Sequence, residues 1–112
     1  MSDTGIVKIH NKEYKTVARR VLDYHQETEG TGSIQTELVD AGNYVIVKAS
    51  VYDGGRLIAT GYAEEERGST NINKTSALEN CETSAVGRAL AFAGYGGTEI
   101  ASADEVANAI SQ

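Results

Sequence analysis

The stretch Tyr44-Val45-Ile46-Val47-Lys48-Ala49-Ser50-Val51-Tyr52, followed by Asp53-Gly54-Gly55, decides how this chain folds. Its β-branched and aromatic residues favour an extended backbone. Val45, Val47, Ala49 and Val51 fall on one face of the strand they predict, and Tyr44, Ile46, Lys48, Ser50 and Tyr52 on the other. The first face is small and aliphatic and predicts contact with a helix. The second carries two tyrosines and a lysine, which suits a binding surface better than a core. Asp53-Gly54-Gly55 has the chemistry of a tight hairpin turn, so the chain is expected to return as a strand over 56–65.

Upstream, residues 33–39 read as a strand, and Asp40-Ala41-Gly42-Asn43 connects it to the central one, giving an antiparallel meander. The register of the third strand depends on its turn. A three-residue loop places Leu57, Ala59, Gly61 and Ala63 on the valine face and leaves Arg56, Thr60 and Tyr62 beside the tyrosines; a two-residue loop exchanges the sets. The first is preferred, because small residues let a helix approach closely.

Nearer the N-terminus, residues 5–10 alternate as a short strand and residues 14–26 carry a helical pattern. Its expected buried face is Val17, Val21, Leu22 and Tyr24 or His25, with Lys15, Arg19 and Asp23 on the exposed side. After the meander, residues 67–74 form a polar loop. Ser76 and Glu79 make a capping box for a long helix over 77–93 that stops at Gly94, with Leu78, Cys81, Ala85, Ala89 and Phe92 as its apolar stripe. A second capping box, Ser102 with Glu105, opens a short helix through Ile110. The order is β-α-β-β-β-α-α. The fold class is α+β: an antiparallel three-stranded meander backed by a long helix, with a short N-terminal strand and helix, in one domain over 1–112.

The chain has 112 residues, 40% of them hydrophobic and 23% charged, proportions of an ordinary globular domain rather than a disordered or fibrous one. No apolar run approaches the roughly 20 residues of a membrane span, so no membrane partner is expected. The first residues show neither a basic start nor an apolar stretch, which speaks against a secretory signal. The lone Cys81 cannot form an internal disulfide and suits a reducing cytoplasm, expected to be that of a bacterial host. A net charge of −6 argues against a uniformly basic nucleic-acid coat. The cations are nevertheless uneven: Lys8, Lys12, Lys15, Arg19 and Arg20 lie in the first twenty residues against only Asp3 and Glu13. One basic face on an acidic body is compatible with this, and a solvated mixture of charges is the plain alternative.

Catalysis has little to stand on. His10 and His25 sit on different elements without metal-ligand spacing, and successive carboxylates in Glu64-Glu65-Glu66 point to alternate faces of a strand. No catalytic residue, metal site or cofactor is expected. Gly94-Tyr95-Gly96-Gly97 follows a helix instead of opening one, so it is not a phosphate-cradling loop. The candidate site is Asn71-Ile72-Asn73-Lys74-Thr75-Ser76 ahead of the long helix, which combines two amides, a cation and two hydroxyls with the free N–H groups of a helix start, a combination suited to phosphate oxygens. Plain helix capping is the competing explanation. Arg88, alone among small residues, either pairs with a nearby glutamate or projects toward a nucleic-acid backbone. Tyr44, Tyr52 and Tyr62 either stack on unpaired bases or pack across strands.

The segment Asn73-Lys74-Thr75-Ser76-Ala77-Leu78-Glu79-Asn80-Cys81-Glu82-Thr83-Ser84-Ala85-Val86-Gly87-Arg88-Ala89-Leu90-Ala91-Phe92-Ala93-Gly94 resembles the signature of phage single-strand annealing proteins of the Sak and Erf types, grouped with the eukaryotic Rad fifty-two recombination mediator. The resemblance implies a β-β-β-α core and assembly into a homo-oligomeric ring or helical array. It also implies single-stranded DNA held by its backbone in a basic groove, where complementary strands pair without ATP. Carried over, Lys74 and Arg88 would contact the backbone, with Lys48, Arg67, Lys15 and Arg19 as further candidates. A phage or host single-stranded-DNA-binding protein is a candidate partner. The acidic balance departs from larger relatives. The expected function is therefore non-enzymatic annealing of single-stranded DNA in homologous recombination. A protein that protects single strands without annealing them, or a protein-interaction module, is the alternative.

Overall fold

The computed structural model describes residues 4–68 and 71–110, with the side chains of residues 71–74 outside that description. It is α+β, with a short hairpin, a three-stranded antiparallel sheet and three helices, in the expected order. The hairpin pairs β1 (Ile6–Ile9) with β2 (Lys12–Lys15). Helix α1 (Val17–Thr28) leads to β3 (Gly32–Ala41), β4 (Tyr44–Asp53) and β5 (Arg56–Glu66), paired in that spatial order. Helix α2 (Asn71–Leu90) runs into a π-helical turn at Ala91–Tyr95, and α3 (Ala103–Ile110) closes the chain.

Strand β2 occupies residues that the helical pattern had claimed. His10 and Asn11 take positive φ, 51° and 66°, and fold the chain back at once. Thr16 then caps α1 by accepting from the Arg19 N–H at 3.1 Å, so the helix starts three residues later than its periodicity suggested.

The core lies between the valine face of β4 and α2. Val45, Val47, Ala49 and Val51 are buried against Ala77, Cys81, Ala85, Ala89 and Leu90. Close approach depends on Gly61 in β5, where an added Cβ would sit 2.5 Å from the Ala89 backbone nitrogen. Ala59, Gly61 and Ala63 face α2 as preferred, yet the turn has only two residues, Gly54 and Gly55, both at positive φ. A bulge after Tyr52↔Leu57 restores the register, so Leu57 joins the tyrosine face instead of the valine face.

Three expected core positions are corrected, two on α2 and one on α1. Leu78 and Phe92 on α2 are 43% and 51% exposed, because the sheet is only three strands wide and the helix overhangs it. On α1 the buried residues are Val17, Arg20 and Tyr24, while Leu22 and His25 are exposed. Helix α2 also begins earlier than expected. A turn over the supposed loop precedes Ser76, whose φ of −138° breaks the helix at the position the capping box marked.

Arg20 is fully buried. Its Nη1 donates to the carbonyls of Gly87 (2.7 Å) and Ile100 (2.9 Å), and its Nη2 to those of Gly96, Glu99 and Ala101 (3.2, 3.2 and 3.0 Å). The guanidinium thereby ties α1 to the last turns of α2 and to the loop before α3, whose carbonyls it satisfies. Burial lowers its pKa, opposed by the nearby carboxylates of Glu105 and Asp104.

Arg20→Ala should cost about 3–5 kcal/mol in urea unfolding, since it strands several buried carbonyls at once. Arg88→Ala should stay within about 0.5 kcal/mol of the parent. An Arg20 variant as stable as the Arg88 variant would show that the clasp contributes nothing. Gly61→Val should cost at least about 1–3 kcal/mol, because the helix must move off the sheet.

Candidate nucleic-acid interface

The alternation of β4 sends Tyr44, Ile46, Lys48, Ser50 and Tyr52 to the side of the sheet away from α2, and the register adds Thr60, Tyr62, Glu64 and Glu66 from β5. Gln35, Glu37 and Asp40 join from β3, opposite Ser50, Lys48 and Ile46. Tyr44 and Tyr62 are 44% and 54% exposed. The Lys48 Nζ lies 5.8 Å from the centroid of the Tyr62 ring, within cation–π range. Tyr44 is paired with Glu66, whose hydrogen bond and charge raise the phenol pKa. Tyr52 is more enclosed, and its carbonyl accepts from the Tyr24 hydroxyl. This face holds one cation against four carboxylates, Glu37, Asp40, Glu64 and Glu66.

A second set gathers at one end of the sheet. The Arg67 Nε and backbone N–H donate to the carbonyls of Gly42 and Asn43, each at 3.0 Å, which fastens the exit of β5 to the β3–β4 turn. Helix α2 begins four residues on, so Asn73 and Lys74 lie in its first turn at this end; their side chains fall outside the described residues. Thr75 is exposed, with its hydroxyl 3.5 Å from that of Ser76. Arg67 and the start of α2 are thus close in sequence at this end of the sheet, while the described contacts of Arg67 are with the β3–β4 turn and those of Thr75 with Ser76.

The remaining candidates sit elsewhere and are engaged. Lys15 and Arg19 both bind Asp23, at 2.8 and 3.0 Å, and Arg19 Nη1 also donates to the Thr4 carbonyl. Arg88, on the exposed side of α2, lies 5.2 Å from the centroid of Phe92. Arg20 was missed as a structural residue. Its signal was positional: residues 17, 20 and 24 share the buried stripe, so a cation among them must go inside.

Among the described residues no group of three or more His, Cys, Asp or Glu converges on a metal position. No helix among them is long and apolar enough to cross a membrane. The Cys81 thiol is buried and donates to the carbonyls of Val45 and Ala63 at 3.3 and 3.2 Å.

A family profile described as Slr1353 N-terminal dsRNA-binding domain-like matches residues 22–93, from within α1 through the three strands and α2. The chain belongs to that family. This overturns the resemblance to the Sak, Erf and Rad fifty-two annealing proteins: the small-residue helix ending in glycine that suggested it is what a helix needs to lie close on a three-stranded sheet, and it serves this family as well. No curated protein and no solved structure matches the chain.

Burial raises the Cys81 thiol pKa above 9.0, so the folded state resists its ionisation. The associated stability is present below about pH 9 and lost as pH rises past the unfolded value toward the folded one. Urea midpoints measured upward from about pH 8 should therefore fall less steeply for Cys81→Ala than for the parent. Identical slopes would show that the thiol ionises equally well in both states.

Proposed function

We propose that this chain is a non-catalytic nucleic-acid-binding module whose ligand is the backbone of duplex RNA. The observation that carries the reading is the family match over residues 22–93, from within α1 through β3, β4, β5 and α2. Duplex RNA is recognised by shape, through phosphates and 2′-hydroxyls, so a binder needs separated donor points more than a cleft. The end of the sheet offers them: Arg67 is held against the β3–β4 turn, Thr75 is exposed, and α2 starts there with Lys74 in its first turn. Helix N–H groups and a cation together favour phosphate oxygens.

Grip per molecule is expected to be weak. With two or three phosphates neutralised, affinity should fall about tenfold or more between about 50 and 200 mM salt. The open sheet face supports a second reading, in which exposed Tyr44 and Tyr62 stack on unpaired bases and single-stranded DNA is held for annealing without ATP. Its four carboxylates oppose a phosphate track across that face, which is why duplex RNA is preferred.

Fluorescence anisotropy with labelled duplex RNA, duplex DNA and single-stranded DNA at two salt concentrations separates the two. Duplex RNA should bind tightest, and Arg67→Ala and Lys74→Ala should each weaken it and reduce the salt slope by about one. Tyr62→Ala should leave it unchanged. Tighter binding of single-stranded DNA, lost in Tyr62→Ala, would transfer the site to the sheet face. No binding to any of the three at low salt would end the nucleic-acid reading.

A further inference from the structure

We propose that the open face of the sheet is a docking surface for an extended, arginine- or lysine-rich segment of a partner protein. Helix α2 and the core lie against the valine face of β4. On the opposite face none of Tyr44, Ile46, Lys48, Tyr62 or Glu64 is buried. Tyr62 and Tyr44 are 54% and 44% exposed, and aromatic side chains left on an uncovered face are the kind that protein interfaces favour.

Charge selects the occupant. The register sets Glu37, Lys48 and Tyr62 side by side across the three strands, Asp40, Ile46 and Glu64 in the next row, and Tyr44 with Glu66 in the row after. Four carboxylates thus stand against one ammonium within three rows. That ammonium, Lys48, lies 5.8 Å from the Tyr62 ring centroid, so the chain already holds one cation over this aromatic surface. Two of the carboxylates are engaged locally: Asp40 accepts from the Gly42 N–H at 3.2 Å, and Glu66 is bonded to Tyr44. Glu37 and Glu64, one on each side of the central strand, are exposed and have no ion-pair partner among the described residues. Phosphates and acidic segments are repelled by such a face, and a second copy laid face to face would set the same carboxylates against each other.

Spacing sets the form of the partner. Successive rows are roughly 7 Å apart, which is also the distance between side chains on one face of an extended chain. Arginines at alternate positions of such a segment meet successive rows, with guanidinium groups on carboxylates and over tyrosine rings. This docking uses the sheet face alone and stands whether or not the chain binds duplex RNA.

The test is fluorescence anisotropy at about 50 mM salt with two labelled peptides, one alternating arginine with threonine and one alternating glutamate with threonine, and with labelled oligothymidylate. The arginine peptide should bind, and the other two should not. Glu64→Lys should weaken that binding about tenfold or more. Glu27→Lys, the same change of charge at an exposed position of α1, should leave it within about twofold. Tyr62→Ala should weaken it about two- to fivefold and Tyr62→Phe should not, because the ring rather than the hydroxyl meets the cation. Thermal unfolding by circular dichroism confirms that the four variants fold. Equal losses in Glu64→Lys and Glu27→Lys would reduce the effect to net charge and overturn the proposal. So would comparable binding of the glutamate peptide, or no binding of the arginine peptide. Oligothymidylate bound in its place, and lost in Tyr62→Ala, would give the face to unpaired bases instead.

Discussion

A buried guanidinium holds the two halves of this fold in place. Arg20 donates to five backbone carbonyls spread over the end of α2 and the loop before α3, and among the described residues no carboxylate lies within ion-pair distance of it. Oriented carbonyl dipoles do the work of a counter-ion, four of them from the loop between the π-helical turn and α3 and one from Gly87 in α2. Removing the side chain would leave both the oxygens and the space without partners. The N-terminal hairpin completes the arrangement: Glu13 and Thr98 exchange hydrogen bonds at 2.8 and 3.1 Å, and Tyr14 bridges to Gly97. The segment after α2 is thus fixed from two sides.

That use of cations constrains function. Arg20 is enclosed, Lys15 and Arg19 are bound to Asp23, Lys12 reaches Glu99 at 3.8 Å, and Arg67 braces the β3–β4 turn through its Nε. Fewer positive groups face solvent than the sequence count suggests, on a chain of net charge −6. Any nucleic-acid contact here is local and electrostatically shallow, and it depends on where the few remaining donors meet rather than on a global field.

Much of the architecture was legible from residues. The period-two pattern of β4, the glycine turn, both capping-box positions and the small-residue face of α2 all appear in the structure at or near their expected places. The Ser102 and Glu105 box is complete, with reciprocal bonds of 3.1 Å. Errors fell where a local pattern had two solutions. Residues 14 and 15 fit the start of a helix until the positive-φ turn at His10 and Asn11 paired them with β1. Leu57 changed faces through a bulge that no alternation rule announces. Of the candidate site, the exposure of Tyr44 and Tyr62 could be anticipated from the alternation of β4 and β5. The family resemblance drawn from the helix could not be trusted, since alanine and glycine there answer a packing demand that different families share.

The sequence by itself determined the order of the three-stranded meander and its long helix, which face of β4 is buried, and where the third helix is capped, because those properties depend on neighbours a few residues apart. Only the tertiary structure decided that Arg20 is internal, that α2 overhangs the sheet and exposes Leu78 and Phe92, and that Lys15 and Arg19 are already occupied by Asp23. Those outcomes depend on how many strands stand beneath a helix and which distant carbonyls or carboxylates arrive beside a charge. No local period encodes such meetings, for they are set when the whole chain closes on itself.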